Sequence, residues 1–415
     1  MNCIYNVKAK RLKNCFLSVF YLWVLGAAQV NGAELSQDEI AAAITEQALS
    51  NRFPSSLEFN RASAEPLIGH IDYTFDADVH FEMAKVYLQY QPDYACFVAL
   101  DVDTGAILNL TSFIKDDEPL DNLVMRADYP AASVFKLITA AAALDLGKLN
   151  PQSVIPFNGK STTLYKSQVL RHKKTKWTRT PDLKEAFAKS INPVFGRIGI
   201  FDVGANQMRS YAQRFGFDSM LKTDFIVPQS RVALPLDSQW EIAEAASGYT
   251  RDITISPIHA AQLAAVVAND GKLVTPYMID SVRSSDGGVL YQAKEKSQAQ
   301  QVISAQSADS LRSLMRETVR IGSARKSFAS KNKYRVYKDM EIGGKTGSLT
   351  GFSPKGRHDW FVGYAIKNGK RVAYASLVIN KEKWFVRSAY VARQFIYHYF
   401  SKQDLLRKQQ GLAAK

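Results

Sequence analysis

The sequence predicts an α+β fold, in which a five-stranded antiparallel sheet is flanked by helices and an all-helical lobe lies beside it. Two observations carry this prediction. Strand-like apolar patterns lie towards both ends of the chain, and helical patterns fill most of the region between them. Strands from both ends can pair into one sheet, and the intervening helices then cover its faces. We therefore expect residues 66–402 to form one folding unit.

Two hairpins supply four of the five expected strands. The first joins the apolar runs at 96–101 and 106–110. The second joins 359–366 to 371–379 through Asn368-Gly369, the strongest short-range signal for a tight hairpin turn. The fifth strand is a glycine-rich segment near residue 345, which also carries candidate functional residues.

The helices are predicted from apolar spacing and from their end signals. The most prominent is Ala131–Leu146, which is rich in Ala and Leu, contains no breaker and is followed by Gly147, so it should be a buried helix. Shorter helical patterns are found at Glu34–Gln47, Pro181–Ala188, Asn206–Phe215, Ile255–Asn269, Leu311–Arg320 and Ser388–Phe400. Residues 157–180 are polar and basic, which is typical of a solvated loop, with a binding stripe as the alternative.

The two ends of the chain are expected to lie outside this unit. Residues 1–33 combine a basic stretch, the apolar run Phe16–Ala28 and several small residues, which indicates a signal peptide or a short membrane anchor. Either interpretation places the rest of the protein in the periplasm or on the outer face of the inner membrane, with membrane association through the N-terminus. Residues 34–65 are interpreted as a lead segment and residues 403–415 as a basic disordered tail.

Composition limits the functional classes. The formal net charge of +14 suits anionic partners, such as nucleic acid, acidic lipid or cell-wall polymer. The sequence contains no zinc knuckle and no RNA-binding aromatic signature, so nucleic acid is not expected as a partner. Of the three cysteines, only Cys96 lies outside the N-terminal segment, and its apolar neighbours indicate a core position.

Ser133-x-x-Lys136 is the first candidate motif. The chain has five Ser-x-x-Lys strings, and this one alone opens a long apolar helix. Backbone N–H groups are unpaired in the first turn of a helix, and the helix dipole there favours developing negative charge. Lys136 is one turn from Ser133 on the same face, and burial would lower the pKa of its amine so that it can act as a base.

Two further strings can complete a site. Ser190-Ile191-Asn192 offers a hydroxyl that can relay a proton and an amide that can hold a substrate carbonyl, although Ser330-Lys331-Asn332 fits the same pattern. Lys345-Thr346-Gly347-Ser348 offers a positive charge and two hydroxyls to a carboxylate. Glycines crowd this expected strand, which indicates that another backbone or a ligand comes close.

Together these strings resemble the transpeptidase domain of penicillin-binding proteins, which belong to the β-lactamase-like superfamily. The similarity runs from about His70 to about Phe400. Beyond the three motifs, four segments look like this family: Phe97–Leu108, Leu183–Asn192, Ile255–Ala264 and Trp360–Tyr364.

The resemblance implies a serine D,D-transpeptidase that acts on D-Ala-D-Ala stem peptides of peptidoglycan. Ser133 would attack the substrate carbonyl with Lys136 as base, and Ser190 with Lys345 would pass the proton to the departing D-Ala. The remaining motif residues would bind substrate: Asn192, Thr346, Gly347 and Ser348. β-Lactams would act as inhibitors by acylating the serine, and no metal or cofactor is expected.

Departures from the family leave alternatives open. We expect no glycosyltransferase domain, and the lead segment is short for the usual pedestal, so contacts with other cell-wall proteins stay open. A D,D-carboxypeptidase would use the same acyl-enzyme but transfer it to water. A serine β-lactamase would need a group that activates water, and no matching Glu-containing loop follows Asn192. A wall-binding scaffold or β-lactam sensor is the non-enzymatic alternative.

Overall fold

A computed structural model describes residues 34–61, 64–117, 122–171, 173–227, 229–234, 237–293, 299–329 and 334–411. The predicted export segment, residues 1–33, lies outside the described residues. Within the described part of the chain, no helix has both the length and the apolar character that a membrane crossing needs.

The strands, numbered in chain order, are β1 Ser56–Arg61, β2 Ala64–Tyr73, β3 Tyr94–Asp101, β4 Ile107–Ile114, β5 Tyr129–Pro130, β6 Leu221–Lys222, β7 Ile226–Val227, β8 Arg231–Val232, β9 Ile253–Ile255, β10 Lys272–Leu273, β11 Ile279–Ser284, β12 Val289–Gln292, β13 Gln300–Gln301, β14 Glu341–Phe352, β15 Lys355–Lys367 and β16 Lys370–Asn380. The helices are α1 Gln37–Leu49, α2 Ala77–Tyr90, α3 Lys136–Asp145, α4 Lys166–Val169, α5 Leu183–Ala188, α6 Asn192–Arg197, α7 Ala205–Arg214, α8 Gln239–Ser247, α9 Pro257–Ala268, α10 Ala305–Arg320, α11 Arg325–Phe328 and α12 Ser388–Gln409.

The predicted five-stranded antiparallel sheet is confirmed, in the order β14-β15-β16-β3-β4. Both hairpins predicted from the sequence are present. The turn between β15 and β16 places Asn368 and Gly369 at positive φ, as a tight hairpin turn requires. β14, which carries the Lys345 motif, is the edge strand of this sheet.

The two faces of the sheet bury different cores, and strand alternation assigns the residues to them. On β3, Cys96, Val98 and Leu100 pack towards the helical lobe that contains α3 and α9. The intervening Phe97 and Ala99 pack towards the face covered by α2 and α12. Cys96 is fully buried, which agrees with its predicted core position, and burial raises the pKa of its thiol.

The helical lobe supports the start of α3. Every residue of α3 from Lys136 to Leu144 is buried. α9 is buried along its whole length, which agrees with a sequence that is apolar apart from His259 and Gln262. A π-helical turn at Ile198–Val203 follows α6 and places Gly199 against Ala246 of α8. A side chain at Gly199 would collide with Ala246, so these two segments approach each other closely.

Two of the predicted boundaries are wrong. The lead segment was expected to end at residue 65, but β1 and β2 pair across that point and join β11 and β12 in a second, four-stranded antiparallel sheet. The tail was expected to be disordered from residue 403, but α12 continues to Gln409. The buried Lys367 forms a 2.6 Å ion pair with Asp404. This ion pair connects the end of the helix to β15.

Candidate active site

Ser133 lies in a 3₁₀ turn, Ala132–Phe135, and the α-helix begins only at Lys136. The predicted single helix from residue 131 is therefore wrong in its first turn. Ala132 has φ of 49°, outside the right-handed α region, so regular α-helix cannot run through it and begins only after the 3₁₀ turn. Non-glycine residues at positive φ are uncommon and cluster at functional sites.

A glycine allows the Ser133 turn to pack closely against the end of α8. Gly248, which caps α8, has φ of +64°. A Cβ atom at this position would lie 1.9 Å from the carbonyl oxygen of Ala132 and 2.9 Å from the backbone nitrogen of Ser133. The backbone of the Ser133 turn thus rests directly on the end of α8.

Lys136 is fully buried and contacts three oxygen atoms. Its Nζ lies 2.8 Å from Ser133 Oγ and 2.8 Å from Asn192 Oδ1, and it also donates to the carbonyl of Ser247. A neutral amine has two N–H groups and one lone pair. The two carbonyl-type oxygens can accept the two N–H groups, which leaves the lone pair to accept the Ser133 hydroxyl proton.

Burial favours the neutral form of this amine. Desolvation lowers the pKa of Lys136 well below the usual value, and the positive charge of Lys345 lowers it further. Burial alone lowers the pKa of Lys345 to about 7. The site therefore combines an amine poised to accept a proton with a second amine that is partly protonated near neutral pH.

Ser190 and Lys345 form a second hydroxyl–amine pair. Lys345 Nζ donates to Ser190 Oγ at 2.8 Å and to the carbonyl of Thr346 at 2.8 Å. Ser190 has φ of 54°, so it projects from a strained turn between α5 and α6. This chain of hydroxyl and amine is suited to moving a proton between the strand and the helical lobe.

Asn192 connects Lys136 to the segment that contains Ser161 and Thr162. Its Oδ1 accepts the hydrogen bond from Lys136, and its Nδ2 donates to the carbonyl of Thr162 at 2.9 Å. Its backbone nitrogen donates to Ser161 at 2.8 Å. A primary amide carries two N–H groups, so the second can reach a substrate carbonyl.

β14 runs alongside the Ser133 turn. A Cβ atom at Gly347 would lie 3.1 Å from Val134 Cγ2 and 3.3 Å from the Val134 backbone nitrogen, so strand and turn are in close contact. Thr346 Oγ1 shares a 2.5 Å hydrogen bond with Ser323 Oγ. Ser348 Oγ accepts a 2.7 Å hydrogen bond from Arg357 Nε. Hydroxyls and a guanidinium thus line this edge.

The structure brings together all the residues singled out from the three motifs and adds four that sequence reasoning missed. Ser247 and Thr162 contribute through backbone carbonyls, for which side-chain patterns give no signal. Arg357 lies opposite Thr350 in the β14–β15 hairpin and reaches Ser348 diagonally, and extending the strand prediction before residue 359 would have found it. Ser323 begins another of the five Ser-x-x-Lys strings, one that does not open a long apolar helix. It contacts the site through its hydrogen bond with Thr346.

The site geometry is that of an acyl-transfer enzyme. A hydroxyl is paired with a buried amine whose pKa is lowered, a second hydroxyl is paired with another buried amine, and an edge strand with half-buried hydroxyls lies beside them. Comparison with known proteins agrees with this class. Residues 95–396 match the family model of the penicillin binding protein transpeptidase domain, and the chain belongs to this family.

Individual relatives point the same way. A peptidoglycan D,D-transpeptidase PbpA of Mycobacterium tuberculosis is 29% identical over 357 residues, which cover 76% of this chain and 68% of the relative. The solved structure of penicillin-binding protein A from M. tuberculosis as an imipenem acyl-enzyme complex is 27% identical, with a TM-score of 0.64 over 79% of each chain. A D,D-transpeptidase domain from Eggerthella lenta, 21% identical, shares the fold with a TM-score of 0.67 over 84% of this chain and 90% of that one.

Proposed function

We propose that this protein is a serine D,D-transpeptidase that cross-links peptidoglycan through an acyl-enzyme on Ser133. The observation that carries the proposal is the 2.8 Å contact between the Ser133 hydroxyl and the fully buried amine of Lys136. A serine hydroxyl is a weak nucleophile at neutral pH unless a neighbouring base removes its proton. The depressed pKa of Lys136 supplies that base.

In the acylation step, Ser133 Oγ bonds to the carbonyl carbon of the penultimate D-Ala, and its proton passes to Lys136. The C–N bond to the terminal D-Ala then breaks. Ser190, hydrogen-bonded to Lys345, delivers a proton to the departing amine. The amine of a neighbouring stem peptide then attacks the ester and gives a proton to the Ser190–Lys345 pair, which replaces the proton lost to D-Ala. The C–O bond to Ser133 breaks, and Lys136 returns its proton to the serine oxygen, so the cross-link forms and the hydroxyl is restored.

Substrate binding is assigned to the edge strand and to Asn192. The backbone N–H groups of Ser133 and Ser348 form the oxyanion hole, which stabilises the negative charge on the carbonyl oxygen. Thr346, Ser348 and the Lys345 cation bind the terminal carboxylate, with Arg357 adjacent to Ser348. Gly347 allows the strand to approach Val134 and so brings these groups to the nucleophile.

β-Lactams are proposed as inhibitors that mimic the stem peptide and leave Ser133 acylated. The imipenem acyl-enzyme complex of the M. tuberculosis relative supports this assignment. The substrate places the protein at the cell wall. We propose that residues 1–33 export it to the periplasm or hold it at the outer face of the inner membrane, where other cell-wall proteins are candidate partners.

The direct test is a cross-linking assay with uncross-linked glycan strands that carry pentapeptide stems. We expect cross-linked stem dimers from the wild-type protein and none from Ser133→Ala. Release of D-Ala with shortened, uncross-linked stems would identify a D,D-carboxypeptidase instead. Binding of glycan strands without cross-linked or shortened stems would identify a scaffold. Rapid turnover of β-lactam without stem products would identify a β-lactamase.

A further inference from the structure

The basic loop, residues 157–180, is a charged surface that the proposed chemistry does not use. It contains seven lysine and arginine residues and no acidic residue. All seven are exposed, and none forms an ion pair with another described residue. They are Lys160, Lys166, Arg171, Lys173, Lys174, Lys176 and Arg179.

The loop is ordered rather than a freely solvated run of charge. Its ends are closed by mutual backbone hydrogen bonds between Phe157 and Arg179, at 2.9 and 3.0 Å. Asn158 Nδ2 donates to the carbonyl of Lys173 at 2.9 Å. Leu164 and Val169 bury their side chains beside Ala243 of α8. These contacts hold the backbone of the described loop residues, 157–171 and 173–180, against the helical lobe.

The same loop touches the active site. The carbonyls of Ser161 and Thr162 accept hydrogen bonds from the backbone and side chain of Asn192. A groove of about 410 Å³ lies at the base of the loop, lined by residues that include Phe157, Ser161, Arg179 and Ile191. Ile191 follows Ser190 and precedes Asn192 in the chain, so this groove borders the segment that carries two of the site residues.

An exposed aromatic side chain accompanies the charges. Trp177 is 76% exposed and lies between Lys176 and Thr178 in the same loop. A large exposed aromatic beside cations is suited to a ligand that has both an apolar ring face and negative charge. Glycan strands with peptide stems have both, because the sugar rings have apolar faces and the stems carry free carboxylates.

We propose that the basic loop binds the carboxylate-bearing stems of the acceptor glycan strand and so delivers the attacking amine to the acyl-enzyme. This inference rests on the proposed transpeptidase function. Its position favours this occupant over an anionic membrane, because the carbonyls of Ser161 and Thr162 in the loop hold Asn192 and the occupant must reach the ester on Ser133. Clustered cations also raise the local concentration of an anionic acceptor, and salt screens this effect.

The test compares Lys173→Gln/Lys174→Gln/Lys176→Gln with a control that removes three exposed lysines elsewhere, Lys338→Gln/Lys370→Gln/Lys408→Gln. Both variants keep the residues of the proposed site and lose the same net charge. Each is assayed for acylation by a fluorescent penicillin and for cross-linking of glycan strands whose acceptor stems have either free or amidated carboxylates.

We expect the loop variant to be acylated at the wild-type rate but to cross-link the free-carboxylate acceptor roughly tenfold more slowly at low salt, from three exposed charge contacts. The control variant should match the wild type. With the amidated acceptor, the cross-linking rates of the wild type and the loop variant should converge. They should also converge in about 0.5 M salt, because exposed charges are strongly screened at that concentration.

Equal cross-linking by the loop and control variants at low salt would overturn the inference. So would loss of binding to phosphatidylglycerol vesicles without any change in cross-linking, which would assign the loop to a membrane. Absence of acylation in the wild type would instead remove the proposed function itself. The two failures are therefore distinguishable.

Discussion

At the scale of single residues, the site depends on two buried lysines with different tasks. Lys136 contacts three oxygens and has the stronger reason to be neutral, because burial and a nearby cation act together. Lys345 is also fully buried, and burial lowers its pKa to about 7. One amine is therefore suited to accept a proton while the other keeps part of its charge.

The role of Lys136 is tested by Lys136→Met, which keeps most of the side-chain length and removes the amine. A positioned base typically accelerates proton transfer by 10²–10⁴-fold. We expect acylation by penicillin to slow roughly a thousandfold while thermal unfolding shows a folded protein. Acylation within a factor of about three of the wild type would contradict the assignment of the base.

The lowered pKa of Lys136 and the pKa of about 7 for Lys345 predict a bell-shaped pH profile for acylation. The rate should rise as Lys136 loses its proton and fall above about pH 7 as Lys345 loses its own. Arginine stays protonated throughout this range, so in Lys345→Arg the falling limb should disappear. Stopped-flow acylation on both sides of pH 7 measures the falling limb. A falling limb at the same pH in the variant would assign it to another group.

At the scale of elements, close backbone contacts hold the site together. The Ser133 turn is enclosed by α8 at Gly248 and by β14 at Gly347. The sequence indicated a close approach at the glycine-rich strand, and the structure shows its partner to be Val134. It gave no signal for Gly248, because an ordinary helix-capping glycine looks the same whether or not another backbone lies against it.

A matched pair of glycines separates backbone strain from contact. Gly147 and Gly248 both have φ of +64°, but only Gly248 has atoms within 4 Å of an added Cβ. Gly147→Ala should cost roughly 1–2 kcal/mol from the left-handed conformation alone. Gly248→Ala adds a collision with the Ala132 carbonyl, so it should lower stability further and slow acylation. Urea unfolding and penicillin acylation measure the two effects; equal behaviour of both variants would contradict the packing of the Ser133 turn.

At the scale of the whole molecule, the main sheet and the helices between its first and last strands were predicted from the sequence. Hairpin signals and strand alternation are local, so they could be read directly from the sequence. The second sheet was missed because no strand was predicted in any of its four segments, so its long-range pairing of β2 with β11 had no local signal to start from. The end of α12 was also missed: its last turns are polar, and they are held by ion pairs to β15 and α2 rather than by an apolar face.

Two truncations test whether the end of α12 belongs to the folded unit. Removal of residues 403–415 deletes Asp404 and leaves the buried Lys367 without its 2.6 Å partner. We expect a loss of about 1–2 kcal/mol in the free energy of unfolding. Removal of 410–415, beyond the helix, should change it little. Equal stability of the two truncated proteins in urea would support the disordered tail that the sequence first predicted.

The central claim is that Ser133 becomes covalently acylated, and intact mass spectrometry tests it most directly. Wild type and Ser133→Ala are incubated with a fluorescent penicillin, and their intact masses are then measured. We predict that the wild type gains the mass of one penicillin, located on the peptide that contains Ser133, and that the variant gains nothing. A wild-type protein with no adduct, or a variant that still carries one, would contradict the account.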